Sequence, residues 1–330
     1  MEKSLYPMKF APIYKTKIWG GENFKKCFNR TGVPACCGES WEISGVDGCE
    51  SVVANGFLAG NTLNEIVEVY MGDLVGDSVF EKFGNCFPLL VKFIDAKDDL
   101  SVQVHPNDEL ALKRHNSYGK TEMWYVMGAE PGSKLINGFA RDITPQEYQD
   151  AIASGDICSV ANVMEASRGD VFYMPAGRIH AIGKGLVIAE IQQTSDITYR
   201  IFDYNRRDSN GNLRELHTDL AKDALDYKFY NDCKVNYSPV SNQSVPVVDC
   251  NYFTTNVLDL DMPVEKDFPE IDSFIIYICV EGKCRLEYDD NHSSIDMQCG
   301  ESVLVPASIK NLCFYPEGRA RLMEVYIKQA

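Results

Sequence analysis

The chain has 330 residues, 45% of them hydrophobic, a formal charge of −16 from 32 Lys+Arg against 48 Asp+Glu, and 12 cysteines. This length and apolar content suggest two domains with real cores, and the negative charge opposes non-specific binding to nucleic acid or an anionic membrane surface. No apolar run approaches a membrane span, the first ten residues carry no signal-peptide core, and the cysteines are scattered without a C-x2-C pair, so a cytoplasmic chain with reduced thiols is expected.

In chain order, Trp19-Gly20-Gly21 and Glu39-Ser40-Trp41-Glu42 come first; their indoles suit either a sugar face or a core. Thr62-Leu63-Asn64-Glu65 is a capping box opening a helix to about Met71. Short apolar runs follow at Phe87–Ile94, Leu100–Val104, Met123–Met127, Asp170–Met174 and Leu186–Gln192. Broken by Gly, Pro, Asn and Asp, they read as strands of a barrel or sandwich. Helices interrupt them. Asn107 caps one to about His115, and Thr144-Pro145-Gln146-Glu147 opens one to about Ala153. A fourth, from about Thr218 to Phe229, links two halves. Within the second half, Gly300-ESVLV-Pro306-Ala307-Ser308-IK-Asn311 repeats the frame of Gly169-DVFYM-Pro175-Ala176-Gly177-RI-His180, with Asn311 where His180 stands.

Four residues in the first half can close on one metal: Gln103, His105, Glu122 and His180. Gln103 and His105 are two apart, so on a strand they share a face. Glu122 opens the next apolar run, and His180 follows the Pro175-Ala176-Gly177 turn. Two imidazoles, a carboxylate and an amide oxygen suit one Zn2+ per chain, with manganese or iron as rivals. Lys120, two before Glu122, points into the same cavity. Lys92 is a lone charge inside Leu89–Ile94, where a buried lysine needs a partner or a function. Arg200 closes a segment begun at Gln193, and Asp196 can orient it through a charge-assisted pair. Glu190, in an apolar strand ten residues after His180, is a candidate general base with a raised pKa.

Gly169-x5-Pro175-x-Gly177-x2-His180 resembles the second motif of cupin barrels, and Gln103-x-His105 with a later Glu resembles the first, with Gln in place of its first His. The fold expected is therefore mainly β: two cupin-like jelly-roll β-barrels with a few helices inserted and linking. Residues 1–235 would form the metal-binding catalytic domain and 236–330 a metal-free barrel. The whole chain is similar to the type I mannose-6-phosphate isomerases in their short bacterial form. The likeness lies in Trp19-Gly20, Glu39-Ser-Trp41-Glu42, Leu90-Val-Lys92, Ser101-Val-Gln103-Val-His105-Pro106-Asn107-Asp108, Lys120-Thr-Glu122-Met-Trp124, Pro175-Ala-Gly177-x2-His180 and Gln193-Thr-Ser-Asp196-x3-Arg200.

That resemblance implies zinc on Gln103, His105, Glu122 and His180, a catalytic Arg200, and supporting roles for Lys120, Lys92, Asp196 and Trp19. The implied reaction interconverts mannose 6-phosphate and fructose 6-phosphate through a cis-enediol, whose charge a metal and a cation stabilise. Its base stays open among Glu190, Lys120 and a zinc-bound water or hydroxide. Only 58 positions separate Glu122 from His180, fewer than in long members, so a more open site is expected. The partner is a small sugar phosphate, and the chain is expected to be a monomer or weak homo-oligomer. An iron dioxygenase cupin would want an apolar pocket, a non-catalytic sensor would bind the sugar phosphate without converting it, and a storage cupin has little need of a complete ligand set.

Overall fold

The computed structural model describes residues 4–207, 210–288 and 293–328. It divides into two contact units, each assembled from separated stretches: Met1–Ile13 with Trp41–Val91 and Asn236–Ala330, and Tyr14–Ser40 with Lys92–Val235. The architecture is mainly β, built from antiparallel sheets. Among the described residues no helix is long and apolar enough to cross a membrane.

The second of these units holds the candidate site. On one side the strand Glu122–Ala129 lies between Val171–Met174 and Leu186–Gln193. On the other, five strands run in the spatial order Tyr199–Phe202, Val102–Val104, His180–Ile182, Lys134–Phe139 and Ala161–Glu165. The period-two alternation of these strands separates two packing layers. Val102, Val104, Ala181, Tyr199 and Ile201 turn to an outer layer with Tyr148, Ala151 and Ala221 of the helices. Trp124, Val126, Phe172, Met174, Ile182 and Ile188 form the inner layer. Each such side chain stabilises the fold by about 1.5–3 kcal/mol when fully buried. The residues between them in sequence, Gln103, His180 and Arg200, are thereby turned inward, away from the outer layer.

The helix signals correspond to helices. Thr62 and Thr144 both make complete capping boxes, on Leu63–Val75 and Pro145–Ser154, and the Asn107 side chain accepts from Leu110 N–H to cap Asp108–His115. The first helix extends past the expected end at Met71, but Met71 itself leaves the helical region at φ 45°. The linking helix is shorter than expected, Thr218–Ala224. It stops because Asp226 N–H donates to Gly177 O instead of continuing the helical ladder.

The other unit contains a second pair of sheets. One carries Ser244–Asp249, Thr254–Leu260, Ala320–Tyr326, Ile275–Glu281 and Glu301–Val305, and the other Val264–Asp267, Asn311–Pro316, Lys283–Tyr288 and Ser293–Gln298. The repeated motif has the same backbone role in both barrels. Gly169 and Gly300 turn at φ 90° and 86°, and His180 and Asn311 each begin a strand after the motif's turn. Asn311 donates its amide to Asp267 Oδ1 and Glu265 Oε1 rather than joining a ligand group. The likeness extends to buried carboxylates. Glu190 lies opposite Trp124 in the first barrel, and Glu324 lies opposite Tyr277 in the second.

Candidate metal centre

Four strands set the site's first row. Arg200 lies opposite Gln103, Gln103 opposite His180, and His180 opposite Asn137. Directly opposed residues project from the same face of a sheet, so the pleat brings Gln103, His180 and Arg200 to one surface. His105 follows Gln103 by two, and Glu122 arrives at the start of the Glu122–Ala129 strand. The loop before Glu122 is pinned: Gln193 Oε1 accepts from Thr121 N–H, Thr121 Oγ1 accepts from Ala176 N–H, and Asp108 Oδ1 accepts from Gly119 N–H. The last of the Thr121 bonds ties the Glu122 strand to the turn that precedes His180.

The donor atoms converge. His105 Nε2 lies 3.1 Å from His180 Nε2, and the Glu122 carboxylate is 3.4 Å from each imidazole through different oxygens. The Gln103 amide is 3.3 Å from His180 Nε2. Turning that amide over presents its oxygen in the same place, and O and N of an amide are told apart only by their neighbours. A four-coordinate ion with bonds of about 2.0–2.2 Å has tetrahedral donor–donor edges of ~3.3–3.6 Å, close to these separations. Both imidazoles are held in the tautomer a metal requires. His105 Nδ1 donates to Ile197 O and His180 Nδ1 to Arg178 O, each at 2.8 Å, so each Nε2 carries its lone pair inward. Burial pushes both imidazoles below their ordinary pKa, with Lys120 lowering both and Glu122 partly offsetting the effect at His180, which keeps them neutral. Glu122 Oε2 is buried and accepts no well-formed hydrogen bond. Among the described residues, His105, Glu122 and His180 form a buried group able to hold a metal ion, and these donors fit one.

A layer of charge surrounds the donors. Lys120 Nζ is 3.2 Å from Glu122 Oε2 and 3.1 Å from His105 Nε2. Lys92 Nζ pairs with Glu190 Oε1 at 2.9 Å. Between the two carboxylates stands Trp124, fully buried, whose indole N–H is shared by Glu122 Oε1 at 3.0 Å and Glu190 Oε2 at 2.8 Å. Burial raises Glu122, yet Lys120, His180 and Lys92 hold it below the usual carboxylate range. Burial and then the Glu122 charge push Glu190 above that range, which Lys92 partly offsets. Burial lowers Lys92, but Glu190 and Glu39 outweigh it and hold its ammonium charged. Lys120 and Lys92 balance Glu122 and Glu190, so a dication would leave this group of four, with its two imidazoles, positive.

Sequence reasoning anticipated Gln103, His105, Glu122, His180, Lys120, Lys92 and Glu190, and the structure brings them together. It missed Trp124, although the spacing of two from Glu122 is the signal that places both on one face. Arg200 is where the sheet register carries it, but its orienting partner differs from expectation. Asp196 is exposed and makes no ion pair with Arg200 among the described residues. The Arg200 Nη1 donates instead to Glu215 O at 2.8 Å, and Arg200 N–H donates to His217 Nδ1. Trp19 is 4% exposed and packs in the inner apolar layer with Ile94 and Trp124, which leaves little of its face for stacking on a sugar.

Two family models match the sequence: the type I phosphomannose isomerase catalytic domain over residues 8–126, and the mannose-6-phosphate isomerase cupin domain over residues 244–327. The chain is 34% identical to the mannose-6-phosphate isomerase ManA of Bacillus subtilis, over 85% of this chain and 87% of that protein. It is 41% identical to a mannose-6-phosphate isomerase of Streptococcus mutans over 63% of this chain and 64% of that one. Among solved structures, the mannose 6-phosphate isomerase of Bacillus subtilis superposes with a TM-score of 0.86 at 32% identity, covering 97% of this chain and 99% of that one.

Proposed function

Because the chain belongs to the type I phosphomannose isomerase family, we propose that it interconverts mannose 6-phosphate and fructose 6-phosphate by proton transfer through a cis-enediol, with one Zn2+ held by Gln103, His105, Glu122 and His180. The observation that carries this reading is the convergence of the buried His105, Glu122 and His180 donors at 3.1–3.4 Å beside Lys120 and the Lys92–Glu190 pair. When bound, the metal supplies Lewis-acid stabilisation of charge on the sugar's O1/O2 end.

The remaining chemistry belongs to side chains. Arg200, one strand from Gln103, stabilises the developing enediolate or the sugar oxygens. Lys120, once it has released its own proton to become a neutral amine, takes the proton from C2 and returns it to C1. It is the titratable group touching the donors, whereas Glu190 has one oxygen engaged by Trp124 and the other by Lys92. Glu190 is then the counter-charge that fixes Lys92, and Lys92 tunes the charge of the centre rather than gripping substrate. Asp196 acts at the exposed rim, and Trp19 supports the inner layer by packing. We assign catalysis to residues 1–235 and a supporting, metal-free role to 236–330.

Incubating zinc-loaded protein with mannose 6-phosphate, beside a chelator-treated control, tests the reading. Metal-dependent formation of fructose 6-phosphate supports it. Tight binding of mannose 6-phosphate with no product would replace the enzyme by a sensor. Lys120→Met should abolish exchange of the C2 hydrogen with solvent deuterium, and persistence of that exchange at the wild-type rate would move the proton carrier to Glu190.

A further inference from the structure

Arg178 is 7% exposed, yet it makes no ion pair among the described residues. Its Nη1 donates to Asn137 Oδ1 at 3.1 Å and to Cys233 Sγ at 3.5 Å. The guanidinium carbon lies 4.1 Å from the centre of the Tyr230 ring, and the buried Nε has no hydrogen-bond partner. A carboxylate enters only through that phenol, whose hydroxyl donates to Asp226 Oδ2 at 2.6 Å. Burying a cation without a direct counter-charge is costly, and the turn around it is already pinned by main chain. Arg178 N–H donates to Pro175 O, Gly177 N–H to His105 O, Asp226 N–H to Gly177 O and Gly138 N–H to Ile179 O. The carbonyl between these bonds is Arg178 O, and it accepts from His180 Nδ1 at 2.8 Å.

We propose that Arg178 is a positioning residue for the metal centre: its planar fork and its stack on Tyr230 fix the carbonyl that aims His180. The inference rests on reading the donor group as a metal site. An imidazole ligand is oriented by the acceptor on its other ring nitrogen, so the peptide carbonyl of Arg178 sets where His180 Nε2 points. That nitrogen is 3.1 Å from His105 Nε2 and 3.4 Å from the Glu122 carboxylate, and a small swing of the ring would open the group. The guanidinium ties Arg178 to separate parts of the chain. Asn137 lies directly opposite His180 in the sheet. Its Nδ2 donates to Cys233 O at 3.0 Å, which leaves its oxygen for the guanidinium. Cys233 and Tyr230 belong to the segment that follows the linking helix, and the Tyr230 ring lies within cation–π range. Gly138, at φ 83°, admits the arginine stem, because a Cβ there would sit 3.2 Å from Arg178 Cδ. A lysine could supply the stem and the charge but neither the fork nor the flat face.

The test compares wild type with Arg178→Met, Arg178→Lys and Tyr230→Leu. Competition with a chromophoric chelator reads zinc affinity, and the visible spectrum of the cobalt-substituted protein reads ligand geometry. Circular dichroism and melting verify folding. R178M should bind zinc about tenfold or more weakly, with cobalt bands altered in position or intensity. R178K should resemble R178M rather than wild type. Y230L should move both readouts in the same direction by less, and it decides alone if R178M does not fold. Zinc affinity within about twofold of wild type and an unchanged cobalt spectrum, in folded R178M or in Y230L, overturn the proposal. An R178K protein that matches wild type overturns it too, because charge alone would then suffice. Neither readout involves the sugar. The predicted zinc losses in a protein that converts no mannose 6-phosphate would uphold this role and end the isomerase reading, whereas a wild type that takes up neither zinc nor cobalt would end both.

Discussion

Trp124→Phe removes one N–H and little else from the face of the site. That N–H is shared between Glu122 Oε1 and Glu190 Oε2, both on buried carboxylates. Hydrogen bonds to charged groups contribute about 1.5–3 kcal/mol, and the stranded acceptors cannot reach water. The smaller ring also leaves a void beside Val126 and Phe172 in the inner layer, adding about 1–2 kcal/mol. Unfolding free energy in urea should therefore drop by about 3–5 kcal/mol. Loss of an orienting partner of a metal ligand typically lowers affinity 10–100-fold, which competition with a chromophoric chelator would read. If Trp124 acts by holding the two carboxylates in register, W124F and E190Q should be non-additive by at least about 0.5 kcal/mol. A W124F protein that binds zinc within twofold of wild type and loses under 1 kcal/mol would refute the reasoning.

Other outcomes follow from the same contacts. Lys92→Met strands the Glu190 charge and should cost about 3–5 kcal/mol in urea unfolding, while the K92M/E190Q double variant should be less destabilised than either single one; a double variant worse than both would contradict the pairing. Arg200→Ala should cut turnover by at least about 100-fold with zinc content unchanged by atomic absorption, and near-wild-type turnover would remove its role. In the second barrel, burial raises Glu324, but Lys266 and the Asn256 and Tyr277 donors hold it below its ordinary value of 4.5. A depressed carboxylate stabilises the fold above its unfolded pKa, and this contribution is lost as pH falls through the folded value. Wild type should lose stability on acidification below about 4.5, and E324Q should flatten that slope; identical acid-unfolding curves would contradict it.

Much of the candidate site was legible because its parts are local or periodic. Gln103 and His105 need only a strand's alternation to share a face, and Lys120 and Glu122 likewise. The helix starts were legible because a cap is written in four residues, as at Thr144–Glu147. What escaped were partners fixed by distant backbone. Asp196 is four residues before Arg200, a helical spacing, but this segment enters a strand, and the guanidinium is taken by the main chain of Glu215 returning from another part of the sequence. The helix after Thr218 ends at Ala224 because Gly177, far away in sequence, accepts the Asp226 N–H. Trp19 could have faced a sugar or a core, and only the packing of both sheets decides that it is buried.

The most direct test of the whole account is diffraction from zinc-loaded crystals on both sides of the zinc absorption edge. The account predicts one anomalous peak per chain, within about 2.0–2.2 Å of His105 Nε2, His180 Nε2, a Glu122 oxygen and the Gln103 amide oxygen. A peak elsewhere, or none at this group in crystals that analyse for zinc, would contradict it.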